Sequence, residues 1–230
     1  MGFLEVQKRS TTASSFDSTT LAYLSNVVAN NLLVVVGANW RSGGATLSIT
    51  DTVGTTYTVL EHTYATNFTL YIAYGKAAGN GANTITLDPS SIGNYGAFTI
   101  VEYSGNDTTT LLDVDGSFST GTGTTASDDL TTSTANALII GVMGFETATT
   151  RTLTPGGSYT ELGEFEDNNA IVAYNAVSRI ATTATSYTVD WTLGASDTWH
   201  AMTAAFKAAG GGGSPSPVIV GKQFRGLIYS

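Results

Sequence analysis

The stretch Ala29-Asn-Asn-Leu-Leu-Val-Val-Val36 decides the fold. A short apolar run behind two asparagines has the length of a strand and the composition of one buried on both faces. It returns as Ala135-Asn-Ala-Leu-Ile-Ile-Gly-Val142, and the residues after each copy match as well. Gly54-Thr-Thr-Tyr57 is echoed by Gly156-Gly-Ser-Tyr159, and Ile72-Ala-Tyr74 by Val172-Ala-Tyr174. Thr86-Leu-Asp88 is echoed by Thr188-Val-Asp190, and Ala97-Phe-Thr99 by Ala201-Met-Thr203. The spacing stays within about 100 to 106 residues, too long for a solenoid repeat and right for two units of sandwich size.

Between these phrases the chain alternates apolar and polar residues with period two over Thr46 to Thr50, Thr56 to His62 and Phe68 to Tyr74. Thr84 to Leu87 and Ala97 to Tyr103 close the first unit as strands. Gly37 to Gly44, with Trp40 and Arg41, is expected as a loop, Asp113 to Gly116 as a turn, and Thr192 to Asp197 as a loop between Trp191 and Trp199. The expected fold is all-β: an antiparallel β-sandwich, jelly-roll-like, built from two homologous halves with a C-terminal extended arm. The first repeat spans 1–105, the second 106–209, and the linker and docking arm 210–230.

Composition narrows the chemistry. Charged residues make up 12% of the chain and cysteine is absent, which removes disulfides, thiolate metal sites and cysteine nucleophiles. To residue 206 the chain carries six cations against 18 acids, a balance of −12, and the remainder carries +3 from Lys207, Lys222 and Arg225. So acidic a body argues against a nucleic-acid partner. No apolar run reaches the roughly 20 residues of a membrane helix. The start, Met1 to Val6, lacks a basic region followed by an apolar one, so no signal peptide is expected.

Past Phe206 the composition changes. Ala208-Ala-Gly-Gly-Gly-Gly-Ser-Pro-Ser-Pro217 reads as a linker, flexible first and then stiffened by proline. Beyond it, Val218, Ile219, Val220, Phe224, Leu227, Ile228 and Tyr229 are apolar, with Lys222 and Arg225 between them. A segment of that kind suits addition to a sheet edge of a neighbouring subunit, copies of this chain included, which would give a homo-oligomer.

For catalysis the chain offers only His62 and His200 as near-neutral bases, neither within a nucleophile or metal motif, and no Gly-x-Ser-x-Gly elbow. Asp113 and Asp115 lack the further ligands of a calcium loop. Glu161, Glu164, Glu166 and Asp167 read as a charged hairpin end. The expectation is no enzyme, no metal and no cofactor. Trp40, Trp191 and Trp199, with Arg41, form the alternative site: indoles at a sandwich rim stack on sugar faces, although tryptophan is more often core.

Ile100-Val-Glu-Tyr-Ser-Gly105 ends one half and Ala204-Ala-Phe-Lys207 the other. With Asn31-Leu-Leu-Val-Val35 and Gly54-Thr-Thr-Tyr-Thr58, these phrases resemble a loosely defined class of Thr- and Gly-rich duplicated β-sandwich domains found in tailed-phage structural proteins and bacterial surface proteins. The resemblance covers residues 8 to 207 and carries no catalytic residue over. It implies a virion structural protein, a capsid decoration or fibre component assembled in the host cytoplasm, whose C-terminal arm meets other virion proteins or copies of itself. The alternative it leaves open is a carbohydrate-binding or adhesive module at a cell surface or in receptor binding.

Overall fold

The computed structural model describes residues 2–11, 17–40, 46–64, 67–89, 95–146, 152–166 and 172–210. Among them lie fourteen strands and no helix, and every ladder is antiparallel. The first eight strands are β1 Leu4–Ser10, β2 Thr19–Ala22, β3 Leu32–Trp40, β4 Ser48–Asp51, β5 Thr58–Tyr64, β6 Phe68–Lys76, β7 Thr84–Asp88 and β8 Tyr95–Ser104. They are followed by β9 Leu112–Thr131, β10 Ala137–Phe145, β11 Leu153–Pro155, β12 Thr160–Glu166, β13 Ala173–Ala181 and β14 Ser186–Phe206.

The opening phrase and its echo become β3 and β10, each the middle strand of a large sheet. One sheet has the order β1-β8-β3-β6-β5, and the other β11-β14-β10-β13-β12 with β9 on β14. A third, small sheet is β2-β7-β4. Both middle strands are buried on both faces, which is why they read as unbroken apolar runs. Leu32, Val34 and Val36 meet Leu138, Ile140 and Val142 in one cluster between the two large sheets. Leu33 and Val35 turn the other way, onto Ile49, Ile85 and Leu87 of the small sheet. Ile139, Met143 and Phe145 pack with Val189, Trp191 and Leu193. Each such aliphatic side chain contributes roughly 2 kcal/mol on burial.

Asn30 and Asn136 are the two non-glycine residues at positive φ among those described, at 71° and 61°. Asn30 stands two residues before β3 and Asn136 directly before β10. Asparagine tolerates this left-handed turn because its short amide bonds locally.

With Leu32 set over Leu138, the ladders correspond strand by strand. β3 pairs with β6 and β8 as β10 pairs with β13 and β14, and β5 lies on β6 as β12 lies on β13. Two of the sequence echoes fall out of this register. Tyr174, opposite Gly144, occupies the place of Leu70 opposite Ala38, not that of Tyr74. Met202, opposite Val142, occupies the place of Thr99 opposite Val36. Thr203 therefore faces away from the inter-sheet core and donates to Asp128 Oδ2 at 2.7 Å, whereas the Thr99 hydroxyl meets the Tyr174 hydroxyl at 2.9 Å. A one-residue slip reverses the face.

Three expected loops or turns belong to strands. Gly37 to Trp40 continue β3, because Gly37 lets β8 pass close: a Cβ there would collide with the Ala97 carbonyl oxygen. Asp113 to Gly116 lie in β9, and Thr192 to Asp197 lie within β14, where the ladder to β9 skips between Thr192 and Asp197. That skip is a bulge, which bends a strand without ending it.

Candidate functional site

The three tryptophans are separated by the fold. Trp191 is fully buried, and its Nε1 donates to Asn175 Oδ1 at 3.0 Å. It is therefore a core residue with its polar atom satisfied and presents no face to a sugar, which corrects its place in the glycan set. Trp199 is half-buried and lies flat over Gly121, where a Cβ would come within 2.5 Å of the indole. The ring covers the bare backbone of that glycine. Trp40, at the end of β3, meets Tyr95 edge-on at 6.3 Å and 62°. Arg41 and the arm residues Val218 to Tyr229 lie outside the described residues.

Of the carboxylates singled out in the sequence, Asp113 and Glu161 are held by neutral donors, and the Glu166 side chain and Asp167 lie outside the described residues. Asp113 accepts from Ser133 N and Oγ and from Thr134 N and Oγ1, fixing the connection to β10. Glu161 Oε2 accepts from Asn175 Nδ2 at 2.9 Å, and Glu164 lies with it on β12. Sequence reading missed two more. Glu102 is fully buried and accepts from Gln7 Nε2, Asn31 Nδ2 and Val28 N. Asp128, 1% exposed, accepts from Ser117, Ser119 and Thr203 hydroxyls. Each works as a structural acceptor: charge-assisted bonds offset the loss of solvent. Among the described residues no group of three His, Asp or Glu side chains forms a metal cradle.

The histidines, far apart in sequence, come together. His62 on β5 stacks on Phe118 of β9, ring centroids 3.3 Å apart, and His200 of β14 lies 4.0 Å from the Tyr64 ring and 5.4 Å from Phe68. Burial lowers both pKa values, that of His200 to about 4 with a further push from His62. His200 Nδ1 is buried without a hydrogen-bond partner among the described residues. The ring contacts of both are aromatic, an arrangement suited to packing.

The chain's exit toward the arm is pinned. Lys207 N donates to Leu111 O at 2.8 Å, Asp107 N to Lys207 O at 2.8 Å and Ala209 N to Gly105 O at 2.7 Å. The connection it grips is itself rigid: Asp107 accepts from Thr109 Oγ1 and N and from Thr110 N, and these bonds draw its pKa down to about 2. The linker thus starts from a fixed root beside the first residue of β9.

Two seams run where the edges of the large sheets face each other. On one side β1 lies along β12, bridged by Lys8 Nζ donating to Glu161 O at 2.9 Å. On the other, β5 and β9 border an open groove of about 320 Å³, lined by Val59, Leu60, Glu61, Asp115, Phe118 and Met202 among others. No protein-family model, curated protein or solved structure matches the chain.

Proposed function

We propose that the protein is a non-enzymatic structural component of a phage virion, a capsid decoration or fibre subunit that fastens to its neighbours through residues 218–229. The observation that carries this reading is the strand order. β1-β8-β3-β6 in one layer and β2-β7-β4 in the other follow a jelly roll's succession, with β5 moved onto β6. The second half repeats it, using the two ends of β9 and of β14 for the corresponding positions. Two homologous jelly rolls back to back form the sandwich on this reading. Jelly rolls recur in viral capsids and lectins, and the step from fold to habitat is an analogy of architecture. The pinned root supports it further, since a fixed origin and a Gly/Pro linker aim an arm without straining the body.

Removing residues 211–230 is the test. The shortened protein is expected to unfold at the temperature of the full chain and to be lost from purified particles; incorporation at the full-length level would reject the reading. A second reading, an adhesive glycan-binding module, keeps one supporting observation, the half-buried Trp40–Tyr95 pair at the loop end of β3 and β8.

A further inference from the structure

Two hollows open at the root end of the sandwich, at corresponding places in the two halves. β5 begins with Thr58 opposite Tyr74, so β6 runs on past it through Gly75 and Lys76. β12 begins with Thr160 opposite Ser178, so β13 runs on through Arg179, Ile180 and Ala181. With Leu32 over Leu138, Lys76 and Ile180 stand at one place, each opposite the leucine that matches. In the first half the overrun is covered: a Cβ on Gly75 would collide with Thr55 and Thr56, and Lys76 Nζ donates to Thr108 O at 2.9 Å. In the second half Ile180 is 37% exposed, and no described strand pairs with Arg179 to Ala181 on the side that β12 leaves.

The hollow beside Ile180 measures about 260 Å³, and most of its lining surface is apolar, supplied by Phe3, Leu4, Tyr103, Leu138 and Ile180. Tyr103 is 3% exposed, and its hydroxyl has no hydrogen-bond partner among the described residues. A buried donor left so calls for an acceptor. An open sheet edge, apolar walls and an unmet hydroxyl fit one kind of occupant, an extended apolar segment whose main chain completes the edge and offers carbonyl oxygens.

The chain's own exit is steered to this place. Past Phe206 it pairs back along the connection between β8 and β9: Lys207 N donates to Leu111 O, Asp107 N to Lys207 O, Ala208 bridges Asn106, and Ala209 N donates to Gly105 O. Each step leads away from the hollow at Leu111 and toward the end of β8. The pairing has to stop at Gly105, because β8 carries β1 on one edge and β3 on the other. Gly105 lies against Gly2 and Phe3, where a Cβ would collide with the Gly2 carbonyl oxygen, and Phe3 is a wall of the hollow beside Ile180. Gly210, at φ 74°, turns the chain at that mouth. The seven residues 211–217 reach at most about 24 Å. The first apolar residues beyond them are Val218-Ile-Val220, three β-branched residues for three open positions. A segment tethered at the mouth meets the hollow at an effective concentration of about millimolar, far above that of another copy in dilute solution. We infer that Val218 to Val220 of the chain's own arm add to the open edge of β13 in this hollow, a stored form of the segment that, on the reading above, later fastens to a neighbour. Three residues hold weakly, so the arm leaves the hollow well below the temperature at which the body unfolds.

The chain has no cysteine, so introduced pairs report cleanly. In the full-length chain, Ile180→Cys with Ile219→Cys is expected to form an intramolecular disulfide about tenfold faster than Thr108→Cys with Ile219→Cys, whose partner is exposed at the same root but on the side of the other hollow. Both rates should be independent of protein concentration. Equal rates overturn the inference, and so does a disulfide-linked dimer as the main product, which gives the hollow to another molecule's arm. Hydrogen exchange on the unsubstituted chain supplies a second readout: the amides of Arg179 to Ala181 are expected to exchange several-fold more slowly than in the chain lacking 211–230, and identical exchange rejects the docking. If the shortened chain is lost from particles while the two cross-linking rates are equal, the stored form fails and the attachment reading stands. If the shortened chain attaches while cross-linking favours Ile180, the arm docks on its own body and the attachment reading fails.

Discussion

The two halves of the molecule reach the same pairing order with different strands. In the first, β1 and β2 are separate elements, as are β7 and β8. In the second, β9 and β14 run through 20 and 21 residues and fill both places each. The ladder between them skips from Thr192–Thr125 to Asp197–Gly123, and Gly123 takes a φ of 152°. Pairing order is therefore the property the halves share, and continuity is free to vary. A corner needs either a break in the chain or a bulge in a continuous strand, and this molecule contains both solutions.

The largest test of that comparison falls on the continuous strand. Trp191→Ala removes the largest fully buried side chain from the layer that β14 folds over, and leaves Asn175 Oδ1 without its donor. A loss of about 3–5 kcal/mol in urea unfolding is expected. A loss below about 1 kcal/mol would mean that the folded-over layer is not part of the cooperative core.

A smaller effect separates the halves by pH. His200 takes the position that Ala97 holds in the first half, so only the second half has a titratable ring there. Burial sets its folded pKa at about 4, below the unfolded value of about 6.5. Between these values the unfolded chain takes up a proton that the folded one refuses, so stability falls as pH drops through that window and levels off below about 4. The loss is about 2 kcal/mol once screening by nearby solvent is allowed for. Denaturant unfolding at pH 7 and pH 4.5 measures it, and His200→Phe should flatten the profile.

The smallest effect belongs to Trp40. Half-buried against Tyr95, its replacement by alanine is expected to cost about 1 kcal/mol. Loss of retention on a polysaccharide with stability nearly unchanged would revive the adhesive reading for the rim of the first half.

How much of the fold was legible in the sequence depends on what each signal encodes. β3 and β10 could be read because a strand covered on both faces must be apolar throughout. The middle of β9 could not: Gly116, Gly121 and Gly123 are punctuation to a reader of sequence. In the fold Gly116 gives Thr203 room and Gly121 lies under Trp199. Matching words found the spacing of the echoes but not the register of the ladders, since a word records residue identity and a ladder records partners. The places of Lys8 and Asp115, equivalent once Leu32 is set over Leu138, were invisible for that reason. No pair of similar words connects them, and only the pairings through Val101 and Ala204 bring them to one place.

The pinned exit at Lys207 and Ala209 also decides how the body bears load. A pull on Gly210 passes straight into β14, which has β9 along one edge and β10 along the other. Antiparallel bonds lie across the strand axis, so traction along it strains many of them at once in shear rather than opening them singly like a zip.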